Sequence, residues 1–393
     1  MWKINSILSL LFVIAMVACH SNIPCSDNCI DYGAIQYRGA KLLKNDGVEY
    51  DTIYINSIEG DALSSMIGNF FVHRDKICFA DNELSTILTY DTLGRHIKNY
   101  LSFGRGPKEI LGLYYATNYD NDSIMIMDGM WGLYYLDSAF NIVDTKRVSW
   151  HLPGEVVDWD SLLKNPDPNV VAMYEYEWTS EHFDYYKGDI IFPVVTEHIN
   201  YNGFFGKNCR HFYRNASTFG VVRNYSLQQI MIQRSPIYEN YKYAPTFYHQ
   251  IFDVLDNILY FSFEADSLIY CMDLDSREVV KSFGCEAMGI DKDYPEYTSF
   301  ERCDENWKSD RGQYGYYQNI FAYRLDNNNY LFRSFKKDSK GYGVQLYKND
   351  TLISEIATPK DFKVFGYIAP YFYASSAYKS GVDSMYIHRI KIP

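Results

Sequence analysis

The sequence predicts an all-β protein, a six-bladed β-propeller of four-stranded antiparallel blades, and three observations carry that reading. A short unit recurs along the chain. Its central strands are apolar on both faces, and its last strand is mixed. Asp75-Lys76-Ile77-Cys78-Phe79-Ala80 returns as Asp122-Ser123-Ile124-Met125-Ile126-Met127 and as Asp256-Asn257-Ile258-Leu259-Tyr260-Phe261. Each copy is an Asp-led turn feeding a β-prone run. Second turns follow at Asp91-Thr92-Leu93-Gly94, Asp137-Ser138-Ala139-Phe140 and Asp273-Leu274-Asp275-Ser276. Strands such as 124–127 and 258–261 have no polar face, as strands covered from both sides must be. By contrast Arg95-His96-Ile97-Lys98-Asn99-Tyr100-Leu101 mixes polar and apolar residues, as a wet outer strand does. Blades stacked around an axis satisfy all three observations, whereas a β-sandwich accounts for the strand spacing but not the repeat.

The units place blades at 66–104, 110–150, 170–226, 246–284, 316–358 and 362–393; seven blades is the alternative count. The last unit lacks a fourth strand, and 50–55 is an orphan strand at the start. Pairing the two closes the ring and removes two exposed edges. The propeller domain is accordingly 46–393.

Residues 1–18 read as a secretion signal: Lys3 gives the charged start, Ile7 to Val17 the apolar run, and Ala18 the small end. The run is too short for a permanent span. Cys19 after Met16-Val17-Ala18 matches a lipobox with Met in place of the usual Leu, so Cys19 is the expected lipidation site. Residues 19–45, polar and broken by Pro24 and Gly33, suit a tether. Seven thiols then remain. Cys78 and Cys271 lie in apolar strands and read as core thiols, while Cys285 and Cys303 bracket an insertion that a disulfide would staple. Short Cys or His pairs at metal-ligand spacing do not occur in two places, as a metal site needs; Cys25 and Cys29 are a single pair in the tether.

Lys and Arg number 37 against 49 Asp and Glu, a net charge of -12. That balance argues against a nucleic-acid groove, which needs clustered basic residues. Apolar content of 47% excludes wholesale disorder.

Phe103-Gly104-Arg105-Gly106-Pro107-Lys108-Glu109-Ile110 closes the first unit. It resembles the Gly-x-Gly-Pro-Gly-Glu-Phe signature of six-bladed, TolB-like propeller lipoproteins of Bacteroidota, with Lys108 in place of the third Gly and Ile110 in place of Phe. The resemblance implies the fold and a place in the cell envelope and implies no activity; the expected location is the periplasmic face of the outer membrane, with display on the outer surface as the alternative. Asp-Ser and Asp-Thr triplets at Asp51, Asp91, Asp122, Asp137, Asp160, Asp266, Asp350 and Asp383 are similar to an O-glycan acceptor of exported proteins, and equally start turns.

Gly104-x-Gly-Pro is not a phosphate cradle, because a strand pattern rather than a helix follows it and Pro107 removes a donor. It reads as a tight crossover between blades, on the face where propellers bind ligands, which makes Arg105, Lys108 and Glu109 candidate contacts. The longer crossovers concentrate aromatics, and Tyr241, Tyr243, Tyr297, Trp307 and Tyr316 are candidates to stack on sugars or hold a protein. No Gly-x-Ser-x-Gly or His-Glu-x-x-His motif occurs. Glu181-His182 and Glu197-His198 are adjacent pairs whose side chains diverge if in strands. The expected function is a lipid-anchored binding or scaffolding module for a protein or glycan partner, with no cofactor. The alternative is a Ca²⁺-dependent hydrolase or lyase acting on a carbohydrate or lactone in the channel.

Overall fold

A computed structural model describes residues 30–39, 48–56, 63–119, 122–177, 182–196, 198, 201, 209–241, 245–297, 299–338, 341–377 and 384–392. Six antiparallel sheets follow one another around a ring. From the axis outward, blade 1 is 68–73, 76–81, 86–90 and 96–100, and blade 2 is 115–118, 124–127, 132–136 and 142–147. Blade 4 is 250–255, 258–263, 269–273 and 278–283, and blade 5 is 316–325, 328–336, 342–348 and 351–358. Blade 6 takes 363–368, 371–376 and 384–391 from the C-terminal end and its outer strand, Glu49–Asn56, from the N-terminal end. Six blades are therefore correct.

Blade 3 departs from the pattern. Its inner strand comes in two pieces, Tyr174–Tyr176 and Asp184–Tyr186, both paired with Asp189–Thr196. Tyr176 faces Val194 and Asp184 faces Ile191, so eight steps along one strand cover three along its partner. Its outer strand, Ser226–Gln233, runs past the expected boundary at 226. Among the described residues three α-helices lie in connections: α1 (Trp159–Lys164), α2 (Cys209–Asn215) and α3 (Phe300–Gln313).

The turns form for the reasons the sequence suggested. The Oδ1 atom of Asp91 accepts from the N–H groups of Leu93 and Arg95, and Asp137 does the same for Ala139 and Asn141. Asp326-Asn327 and Asn349-Asp350 make two-residue hairpin loops with φ of 50°, 61°, 49° and 69°. Asn and Asp tolerate that left-handed backbone, whose twist suits a hairpin.

Blade 1 shows why the central strands have no polar face. Ile77 and Phe79 pack with Tyr373, Met385 and Ile387 of blade 6. Cys78 and Ala80, pointing the other way, pack with Ile124, Ile126 and Leu136 of blade 2. Each blade is thus sealed by both neighbours. Emptying such a position, as in Phe79→Ala, costs about 3–5 kcal/mol.

The ring closes along Glu49–Asn56 in register with Ser384–Lys391. His388 sits at this seam. Its Nδ1 lies 3.0 Å from Thr52 Oγ1 and its Nε2 2.9 Å from Ser376 Oγ, between the rings of Tyr50 and Phe362. Burial drives its pKa down to about 4, with Asp51 opposing.

The leader and Cys19 lie outside the described residues. Within the expected tether, residues 30–39 are docked. Tyr37 bridges Ser282 of blade 4, the Tyr32 hydroxyl donates to Gln233 O (2.5 Å), and the Tyr32 ring packs edge-on against Tyr270. Apolar residues in a mostly polar segment explain this: Ile30, Tyr32 and Ile35 cover core at the blade 3–4 junction. A second correction concerns the thiols. Cys285 and Cys303 are free, as are Cys78 and Cys271. Cys303, on α3, faces Thr246 Oγ1 at 3.7 Å, while Cys285 lies beside Arg333 and Gln345. Cys78 and Cys271 are core thiols as expected, and burial pushes both up to about 12.

Candidate functional site: the central channel

The inner strands leave a cavity of about 630 Å³ along the axis. Two groups of polar side chains occupy its wall.

The first is at the mouth, on the face where crossovers enter the inner strands. Arg311 on α3 grips the carboxylate of Glu264, Nη2 to Oε1 at 2.6 Å and Nη1 to Oε2 at 3.1 Å. The same carboxylate lies 2.9 Å from His249 Nδ1. The Arg311 guanidinium lies over the Tyr316 ring at 4.2 Å and near Trp307 at 5.7 Å, and Nη1 also donates to Thr246 O at 2.8 Å. Burial alone pushes the Glu264 carboxyl upward, but the charges of Arg311 and His249 outweigh it and hold it at about 2. His249 is only 8% exposed, and its Nε2 has no hydrogen-bond partner among the described residues.

The second group is deeper. Asp253 follows His249 by four residues on the inner strand of blade 4, about 13 Å along it. Its carboxylate accepts from Ala322 N of blade 5 (2.6 Å) and from Val254 N (3.1 Å). Asp184 of blade 3 accepts from Val254 N at 3.1 Å and meets His182 Nε2 at 3.0 Å. The other ring nitrogen of His182 lies 2.8 Å from the hydroxyl of Tyr115 in blade 2. Candidate ligand atoms of His182, Asp184 and Asp253 all lie within 4.8 Å of one another. Burial, then the charge of Asp184, holds the Asp253 carboxyl well above the usual carboxylate range. The irregular inner strand of blade 3 is what delivers Asp184 to this point; His182 stands two residues before it.

Of the residues singled out from sequence, Trp307 and Tyr316 line the channel. Tyr241 instead is buried beneath the mouth, its hydroxyl donating to Lys292 O at 3.1 Å. Tyr297 donates to Asp310 Oδ2 at 2.5 Å and packs against the same core. Tyr243 lies outside the described residues. Arg105 and Lys108 are exposed on the crossover loop, away from the channel wall. Glu109 turns back into its own loop: Gly106 N donates to Glu109 Oε2 at 2.7 Å, and a Cβ at Gly104 would stand 2.0 Å from that oxygen. The glycines therefore serve this tight turn, and the donor a phosphate would need is taken. Of the two polar groups, the sequence reading touches only His182, in the Glu181-His182 pair, and not Asp184, His249, Asp253, Glu264 or Arg311. The one available signal was a carboxylate, Asp253, inside the otherwise apolar run of an inner strand.

No protein-family model matches the chain, and no curated protein matches its sequence. Solved structures do resemble it. A member of the DUF4221 family from Bacteroides vulgatus superposes with a TM-score of 0.63 at 13% identity, covering 89% of this chain and 99% of that one. A structure from Bacteroides fragilis described as a "Putative exported protein" gives 0.53 at 12% identity, covering 91% and 100%. At these identities the likeness is one of fold. No helix among the described residues is long and apolar enough to cross a membrane.

Proposed function

We propose that this chain is a lipid-anchored, exported binding propeller that takes the end of a glycan into the mouth of its central channel. The carrying observation is the cavity itself: about 630 Å³, open on the crossover face and rimmed by Trp307 and Tyr316. Ligand sites of this size are typically preformed, with apolar walls and a few fixed polar groups. Amide side chains such as Gln318 and Asn319 supply the polar groups, and half-buried Trp307 supplies a face on which a sugar ring stacks. A folded protein surface does not enter such a channel, which favours a glycan over a protein partner. Anchoring and placement at the periplasmic face of the outer membrane rest on the leader pattern, Cys19 and the resemblance to propeller lipoproteins. Titration calorimetry against a panel of glycan fragments and peptides tests the reading. A fragment that binds the mature chain and binds at least tenfold more weakly to Trp307→Ala supports it, and binding of peptides alone overturns it.

The second reading is a metal-dependent hydrolase or lyase in the same channel. One observation favours it: His182, Asp184 and Asp253 converge on a single point.

A further inference from the structure

We propose that the deep end of the channel holds one zinc ion between His182, Asp184 and Asp253. Geometry is the first support. His182 Nε2 and Asp184 Oδ2 are 3.0 Å apart, and one ligand atom from each of His182, Asp184 and Asp253 lies within 4.8 Å of the other two. Zinc bonds to imidazole nitrogen and carboxylate oxygen are about 2.0–2.2 Å long, which sets neighbouring ligands roughly 3.0–3.5 Å apart. Small side-chain rotations therefore suffice to close the set.

The surroundings provide the second support. A ligating imidazole usually spends its other nitrogen on an outer partner that fixes ring and tautomer. Here Tyr115 stands 2.8 Å from Nδ1. Backbone N–H groups also fix both carboxylates, Val254 N donating to Asp184 Oδ2 and Ala322 N to Asp253 Oδ2. The members come from four blades, so the ring of strands fixes their spacing.

Charge is the third. Two carboxylates face each other, and among the described residues no Lys or Arg is ion-paired with either. At the mouth, by contrast, Glu264 has Arg311. A divalent cation supplies what the deep group lacks. The adjoining cavity gives the ion an entry path and leaves room for water or a ligand on its open positions. The donor set selects the ion: one imidazole with two carboxylates suits zinc, whereas Ca²⁺ takes six to eight oxygens.

The proposal rests on the channel wall and not on the glycan reading. The test uses the mature chain stripped with chelator, then titrated with Zn²⁺ or Ca²⁺ by calorimetry, with Co²⁺ absorption as a report of His coordination. Expected are one Zn²⁺ per chain, a Co²⁺ spectrum lost in His182→Gln, and Zn²⁺ affinity weakened by more than about a hundredfold in Asp184→Asn/Asp253→Asn. Circular dichroism and melting of the variants show that they are folded. No saturable Zn²⁺ binding, equal affinity in the folded double variant, or preference for Ca²⁺ overturns the proposal. Glycan binding that survives in the double variant but not in Trp307→Ala leaves the proposed function standing without the metal.

Discussion

The two polar groups of the channel share a wall and a similar inventory, yet differ in how their charge is balanced. At the mouth, Glu264 is matched by Arg311 and His249 and every charge has an opposite within hydrogen-bond reach. In the deep group, Asp184 and Asp253 face one another with a single imidazole between Asp184 and Tyr115. A buried group whose charges are matched stabilises a fold; one short of a cation is arranged for something that arrives. The mouth pins α3 to blade 4, and the deep group is left to receive.

The largest effect separating them is on stability. Glu264→Gln leaves Arg311 buried without its counter-charge, and the expected loss is about 3 kcal/mol or more in denaturant unfolding. Asp253→Asn replaces a carboxyl that has no basic partner among the described residues, and the new amide can donate to Asp184 while its oxygen still accepts from Ala322 N. Its expected loss is close to zero.

Two pH dependences come next in size, and they fall in different windows. His388 at the ring seam has its pKa lowered from 6.5 to about 4, so the unfolded chain binds the extra proton first. Stability from the seam is complete above pH 6.5 and declines by about 3 kcal/mol as pH falls to about 4. Glu264 is lowered from 4.5 to about 2. Its contribution, again about 3 kcal/mol, is present above pH 4.5 and lost as pH falls through about 2. Unfolding measured from pH 7 to pH 3 should show the first decline in the native chain and not in His388→Gln, while the lower decline persists in both.

Smaller still is the effect of the rim. Trp307→Ala should weaken ligand binding at least tenfold, about 1.4 kcal/mol, measured by calorimetry. Arg105→Ala and Lys108→Ala, on the exposed crossover loop, should change stability by less than about 0.5 kcal/mol and leave that binding unchanged.

The contrast also explains what could be read from the sequence. Blade 1 announces itself: Ile77 to Ala80 are apolar on both faces because blades 6 and 2 seal them, and Asp91 starts its turn by capping Leu93 and Arg95. Such signals are local, so strand order, blade count and ring closure follow from them. Asp184 and Asp253 are far apart in sequence on different blades, and only the closed ring brings them together. The extra residues between Tyr176 and Asp184 break the very regularity that made the other blades legible. Trp307 and Tyr316 lie on the channel wall because the crossovers border the mouth. Tyr241, a candidate contact from another aromatic-rich crossover, is buried because these crossovers pack down on each other's aromatics, as the Tyr241–Tyr294 and Phe247–Tyr294 contacts show.

The most direct measurement is the melting temperature of chelator-treated Glu264→Gln beside that of Asp253→Asn. A clear fall for the first, with the second unchanged or higher, is the predicted result. Equal falls in both would mean the deep carboxylates are as structural as the mouth, and would contradict the division of the channel into a clamp and a receptor.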